Sequence, residues 1–346
     1  MNTLYDIREV VFESLDDRAL APIVAGFNQL RAEREPRQTD VSMEEFRIFN
    51  SGPGAVRTHF VVYEEGGGPT AFLNTSYPDD GSTPRILRTS ISVLTEHRRN
   101  RLATRLLAIA ADLARSLGRD LLGGPCFDTV PAGEAFARAV GAAKTIDFHS
   151  NLLRIDHLDL GMLREWRDQG PVRGPGYSAD VIEGMYPEEI LPGVTHLYQV
   201  LERDMPHPEN WEPREHTPDL VRAWIGNFLK GVDLLTAIAF DQRSGAPVGM
   251  SQLGRRHRDD TTWFVTTTMV DPDHRGHALG KWVKAAACLE ALERWPAAVW
   301  METGNAFTNA PILGINHAMG FEHEYTMSEF EVPADDAAAF AASRSA

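Results

Sequence analysis

The sequence contains one unit written twice. Glu96-His97-Arg98 returns as Asp273-His274-Arg275, an offset of 177 (275 − 98). Each triplet follows an alternating polar/apolar run that reads as a strand, Arg88-Thr89-Ser90-Ile91-Ser92-Val93 and Val265-Thr266-Thr267-Thr268-Met269-Val270. After each triplet, apolar residues recur at spacings of three and four, the stripe of an amphipathic helix. They are Leu102, Leu106, Ile109, Leu113 and Leu117 in the first half, and Leu279, Val283, Ala286, Leu289 and Leu292 in the second. Upstream, both halves carry a hairpin pattern, turning at Gly66-Gly67-Gly68 and at Arg243-Ser244-Gly245. Late in each half an Ala-rich helix stops at a glycine, Gly141 or Gly320, at an offset of 179.

The repeat predicts two domains, 1–155 and 177–332, each reading β-α-β-β-β-α-β-α-β, a mixed α/β layer fold. Gly170-Pro171-Val172-Arg173-Gly174-Pro175-Gly176 breaks every periodicity, so 156–176 is expected to be a linker. The Ala/Ser-rich stretch 333–346 is expected to be a flexible tail.

A chain of 346 residues has length for two domains. Lys+Arg 34 against Asp+Glu 49 gives a net charge of −15, which disfavours nucleic acid and anionic membrane as partners. The two cysteines, Cys126 and Cys288, lie outside any C-x-x-C and read as small buried hydrophobes, so neither a disulfide framework nor a metal is expected. The N-terminus has no basic-then-apolar leader, and no apolar run approaches a membrane span. The expectation is a cytoplasmic protein, monomeric or homodimeric.

The densest local pattern is Val270-Asp271-Pro272-Asp273-His274-Arg275-Gly276-His277-Ala278-Leu279-Gly280-Lys281. A strand ends, a tight turn follows, and a helix opens near Ala278. Small residues at Gly276, Ala278 and Gly280 let a ligand approach the backbone. Free N–H groups and the helix dipole favour an anion, and Arg275, His277 and Lys281 add positive charge. A solvated helix start is the alternative reading. Neither G-x-x-x-x-G-K-[ST] nor G-x-G-x-x-G is present, which speaks against a nucleotide-hydrolase loop and a dinucleotide-dependent oxidoreductase.

Arg275-Gly276-His277-Ala278-Leu279-Gly280 resembles the [QR]-x-x-G-x-[GA] signature of the GNAT N-acetyltransferase superfamily, with Ala278 for the first glycine. Asn305-Ala306-Phe307-Thr308-Asn309-Ala310-Pro311 and Asn316-His317-Ala318-Met319-Gly320-Phe321 resemble that family's second acyl-CoA motif. The first half resembles a worn copy. Arg98-Arg99-Asn100-Arg101-Leu102-Ala103-Thr104 keeps the leading Arg and the small residue at Ala103, but Arg101 replaces the central glycine. Two such units in one chain are similar to the tandem actinobacterial acetyltransferases, among them mycothiol synthase and enzymes of antibiotic pathways such as clavulanic acid biosynthesis.

The resemblance implies acyl transfer from acetyl-CoA, or another acyl-CoA, to a small-molecule amine. Pyrophosphate would lie on the turn amides of Arg275–Lys281 and of Arg98–Thr104, and pantetheine would extend the sheet between two splayed parallel strands. Backbone N–H groups around Met269 and Val270, and around Val93 in the first half, would face the thioester. Asn305 and Asn309 would contact pantetheine, although Asn309 also suits a helix cap.

At the position of the family's thiolate-protonating Tyr stands Asn316, an amide that can donate a hydrogen bond but no proton. Glu302 is the candidate base, with His257 second; either also reads as a surface charge. Tyr325 reads as a packing residue. In the first half Val130 and Ala137 occupy the Asn and Tyr positions, so that half is expected to bind without turnover. A non-catalytic acyl-CoA-binding or sensing protein is the competing function.

Overall fold

The computed structural model describes residues 4–208, 210–306 and 310–344. In chain order the first half forms β1 (Tyr5–Val10), α1 (Asp17–Arg34), α2 (Met43–Asn50), β2 (Ala55–Glu64), β3 (Pro69–Pro78), β4 (Ile86–Val93), α3 (Leu102–Ser116), β5 (Leu121–Phe127), α4 (Pro131–Val140) and β6 (Ala143–Arg154). Two helices follow, α5 (Leu160–Asp168) and α6 (Gly170–Arg173). The second half forms β7 (Tyr177–Glu183), α7 (Leu191–Asp204), α8 (Pro218–Phe228), β8 (Val232–Asp241), β9 (Pro247–Arg256), β10 (Thr262–Val270), α9 (Leu279–Arg294), β11 (Trp300–Ala306), α10 (Ala310–Met319) and β12 (Glu322–Pro333). A last helix, α11, spans Ala334–Ser343. The mixed α/β order is the expected one in both halves, with one helix more in each, α2 and α8. The additional helices open on side-chain caps: Ser42 and Glu45 form a reciprocal capping box at α2, and Thr217 accepts from Leu220 N at α8.

The chain forms two compact units, and they are not consecutive segments. One comprises Met1–Asp147 with His207–Glu212 and Tyr325–Ala346; the other comprises Phe148–Pro206 with Pro213–Glu324. In the first unit β1, β2, β3 and β4 pair antiparallel in sequence order, β5 joins β4 in parallel, and β12 joins β5 antiparallel through Met327–Pro333. In the second unit β7, β8, β9 and β10 pair antiparallel, β11 joins β10 in parallel, and the outer neighbour of β11 is β6 through Phe148–Arg154. Each sheet is thus closed by the final strand of the other half of the sequence. This corrects the expected division into 1–155 and 177–332.

Strand alternation feeds a separate core on each face of each sheet. In the first unit Val62, Ala71 and Leu73 meet α3 residues Leu102, Leu106 and Ala110, while Val61 and Phe72 meet Leu20 and Ile23 of α1. In the second unit Leu235 and Ala237 meet Val283 and Ala287 of α9, while Leu234 and Ile238 meet Val194 and Leu197 of α7.

Two further expectations are corrected. The segment 156–176 is folded: Leu163 of α5 has no exposed surface, and Gly170 packs so closely that a Cβ there would stand 2.1 Å from the Trp282 ring. Glycine serves there for close approach, not for flexibility. Nor is the stretch expected as a tail loose over its described residues, 333–344. Ala334, Ala337 and Ala341 of α11 are buried, and small residues let the helix lie against the first unit's core.

Candidate functional site

In both units the parallel strand pair separates before it ends. β4 and β5 pair only over Ile86–Arg88 with Leu121–Gly123, although both strands run on, to Val93 and Phe127. β10 and β11 pair over Thr262–Val265 with Trp300–Thr303, and a register shift at Thr266 turns β10 away while it continues to Val270. The splay leaves backbone groups with no strand opposite them. At its vertex in the first unit, a Cβ on Gly124 would sit 1.9 Å from Thr89 O, so only glycine fits.

Val270 and Val93 present their N–H groups to this gap. Asp271 N donates to Val248 O at 2.9 Å, so by antiparallel alternation Met269 bonds toward β9 and Val270 faces the opposite edge. Leu94 N donates to Thr70 O at 2.9 Å, which sets Val93 the same way. Of the two expected oxyanion donors in the second half, Val270 alone is directed at the splay.

The turns after these strands share one unusual backbone. Gly276 and Ala278 have φ of 85° and 57°; Arg99 and Arg101, 177 residues earlier, have 68° and 60°. Left-handed residues two apart curl successive N–H groups inward, an anion-binding shape. A non-glycine residue in that region costs about 1 kcal/mol or more, yet it is held at three of these four positions. Arg101 and Ala278 stand just before α3 and α9, and their carbonyls accept from Arg105 N and Trp282 N, the first intrahelical bonds. The N–H groups of Leu102, Ala103 and Thr104, and of Leu279, Gly280 and Lys281, therefore have no acceptor within their own helices. Leu102 and Leu279 contribute only backbone, since both side chains are buried in the cores.

The same side chains brace both turns. Arg98 Nε donates to Val93 O at 3.1 Å, and Arg275 Nε donates to Val270 O at 3.1 Å. Arg98 is ion-paired with Glu33, and Arg275 with Asp204. His97 Nδ1 is 3.2 Å from Tyr5 Oη, and His274 Nδ1 is 3.0 Å from Tyr177 Oη. Arg275, expected to add positive charge for the anion, and Arg98, its counterpart in the first half, are thus engaged with protein and hold the turn in shape. Lys281 lies over the Trp166 ring, 5.0 Å from its centroid, and His277 packs on Tyr177. Asn100 donates to His97 O at 3.2 Å. Gly276 has open space around it, whereas Gly280 faces Ile315 and Val270.

In the first unit the splay and turn open into one cavity of about 830 Å³, a size suited to a cofactor. Its walls run from Ser90–Val93 and Pro125–Phe127, past Arg98–Thr104, to α4 and α11. Val130 lines it where the motif would have an Asn. Cys126 also lines it, with its thiol pushed up to about 11 by burial and then by the charges of Glu134 and Glu329.

In the second unit Asn305 and Asn316 meet. Asn316, 3% exposed, donates through Nδ2 to Asn305 Oδ1 at 2.6 Å and accepts from Lys284 Nζ at 2.5 Å. Its amide is committed inside the unit rather than offered to a thiolate. Lys284 had no part in the sequence reading, because one lysine in a helical stripe passes for a surface charge. Its place beside Val283, Ala287 and Cys288 was the available signal. Glu302 sits at the splay vertex, opposite Phe264 across the last parallel pairs. His257 is a surface side chain paired with Asp233 at 3.3 Å, Tyr325 packs near Phe127, and Asn309 lies outside the described residues.

No family model matches the sequence, and no curated protein matches it. Solved structures do. A tandem GNAT protein from the clavulanic acid biosynthesis pathway, determined without AcCoA, superposes with a TM-score of 0.78 at 23% identity, covering 96% of this chain and 99% of that one. The chain has the tandem GNAT fold. A GCN5-related N-acetyltransferase from Sphaerobacter thermophilus gives 0.62 at 14% identity over 95% and 96% of the two chains. N-myristoyltransferase of Saccharomyces cerevisiae with bound myristoyl-CoA gives 0.58 at 11% over 94% and 82%. The doubled splay and doubled turn are what the two units of this fold repeat. No described helix is long and apolar enough to cross a membrane.

Proposed function

We propose that the protein is an acyl-CoA-dependent N-acyltransferase acting on a small-molecule amine. The reading is carried by one conjunction, present twice: a parallel strand pair that splays, ending at a left-handed turn whose amides open a helix. The turn amides take the pyrophosphate, the splay takes the pantetheine arm, and the thioester carbonyl comes under a strand N–H, Val270 in the second unit. A neutral amine attacks that carbonyl. The tetrahedral intermediate collapses to the amide and coenzyme A thiolate, while the amine's surplus proton leaves to a base.

Turnover is assigned to the second unit. Its splay carries a carboxylate, Glu302, at the vertex, where the first unit has Gly123. The first unit then binds acyl-CoA without transferring it, as Val130 in its cavity suggests. A relative from an antibiotic pathway makes small polar amines the acceptors to test first.

The test is release of free thiol from acetyl-CoA in the presence of an amine panel. Glu302→Gln is expected to lower turnover by about 10²-fold or more while acetyl-CoA still binds. Binding with no thiol release for any amine would favour the sensing protein instead.

A further inference from the structure

The first unit's cavity does not stop at the turn. Past Arg101 it reaches Phe136 and Ala139 of α4 and then Phe340, Ser343 and Arg344 at the end of α11. Arg101 Nη1 donates to Arg344 O at 2.8 Å, the Arg344 guanidinium lies over the Phe340 ring at 4.7 Å, and Phe340 meets Phe136 edge-on at 6.1 Å. These contacts fix two guanidinium groups at one end of the cavity.

The charge there is unbalanced. Arg34, Arg98, Arg99, Arg101 and Arg344 line the cavity against one carboxylate, Glu33, and Arg98 takes that carboxylate. Among the described residues Arg99, Arg101 and Arg344 make no ion pair. In a chain of net charge −15, three cations in one cavity with no carboxylate paired to them call for an anion with several charges.

We infer that α11 completes the acyl-CoA site of the first unit, with Arg344 and Arg101 holding the 3′-phosphate of the nucleotide and Phe136 and Phe340 walling its base. The inference rests on the functional reading above and follows the length of the cavity. With the thioester in the splay and the pyrophosphate on the turn amides, the end bounded by α4 and α11 is left for the adenosine. Two phosphates occupy the turn, and the arginine pair takes the third. The site therefore distinguishes coenzyme A from carriers that lack the 3′-phosphate.

The test compares acetyl-CoA with its 3′-dephospho form by titration calorimetry, with native mass spectrometry counting bound molecules. The wild type, Arg344→Ala, Arg344→Lys and the double variant Arg99→Glu/Arg101→Glu are compared, each first checked for an unchanged melt. The double variant is expected to lose one bound acetyl-CoA, which assigns that molecule to the first unit. For that molecule the wild type is expected to favour the 3′-phosphate by roughly tenfold or more. Arg344→Ala is expected to remove most of this preference without weakening the dephospho form, and Arg344→Lys to keep part of it. Binding that ignores the double variant would overturn the first unit as an acyl-CoA site. Binding that responds to it, with the preference intact in Arg344→Ala, would overturn the role of α11 alone.

Discussion

Lys284 donates its ammonium to Asn316 inside the second unit, with no carboxylate bound to it among the described residues. Burial pushes this group down to about 8, against a smaller opposing pull from the neighbouring Cys288. The folded chain therefore holds the Lys284 proton less tightly than the unfolded chain does. The cost is full below about pH 8 and disappears as the pH rises to the ordinary lysine value, 10.5. At about 1.4 kcal/mol per pH unit, its ceiling is roughly 3 kcal/mol. Between pH 7 and 10.5 the wild type should gain on Lys284→Met by up to that amount in denaturant melts. A stability difference that stays flat with pH would mean the lysine titrates normally.

Gly124→Ala and Gly276→Ala should separate steric clash from backbone strain. The first drives a Cβ to 1.9 Å from Thr89 O, whereas the second meets nothing within 4 Å and is strained only through its φ of 85°. The expected losses are about 3 kcal/mol or more and about 1 kcal/mol. Equal losses in urea unfolding would reject the vertex as a point of closest approach.

Ala278 holds a φ of 57° at the place where a glycine would rest unstrained. Ala278→Gly should raise stability by up to about 1 kcal/mol, since relief of strain outweighs the added freedom of the unfolded chain. A lowered melting temperature would contradict this. Arg101→Gly relieves the same strain but surrenders the bond to Arg344 O, so its gain should be smaller.

Cys126 faces the cavity with its thiol near 11, and Cys288 is fully buried with its thiol also pushed up to about 11, first by desolvation. Neither is a thiolate at neutral pH, so transfer should not pass through an acyl-cysteine. Double-reciprocal plots against acetyl-CoA and amine should intersect, and Cys126→Ala should keep turnover within roughly twofold. Parallel plots lost with Cys126 would refute direct attack.

The repeat was legible because it is local. Strand, turn and helix follow one another within a few residues, and the offset of 177 carries over to matching backbone angles at Arg99 and Gly276, and at Arg101 and Ala278. What escaped depends on residues distant in sequence. Nothing near Met327 says that it will pair with Phe127, because strand pairing is decided by partners, not by pattern. Gly170 read as a breaker because its reason, the Trp282 ring, lies more than a hundred residues away. The alanines of α11 read as fraying because small residues carry little hydrophobic signal, although they are what lets a helix approach another closely. The buried trio of Lys284, Asn316 and Asn305 looks polar in sequence and is interior only by tertiary placement.

The closing of the first unit's sheet by Met327–Pro333 bears on synthesis at the ribosome. Every other strand of that sheet lies before residue 128, yet its last strand, Glu322–Pro333, follows all the other strands of the second half. The first half must wait with β5 unpaired along one edge while some two hundred residues are added, and such an edge invites wrong partners. The second unit meets no such delay, for its borrowed strand, β6, is already made before the rest of it begins. The half translated first should be the half that matures last.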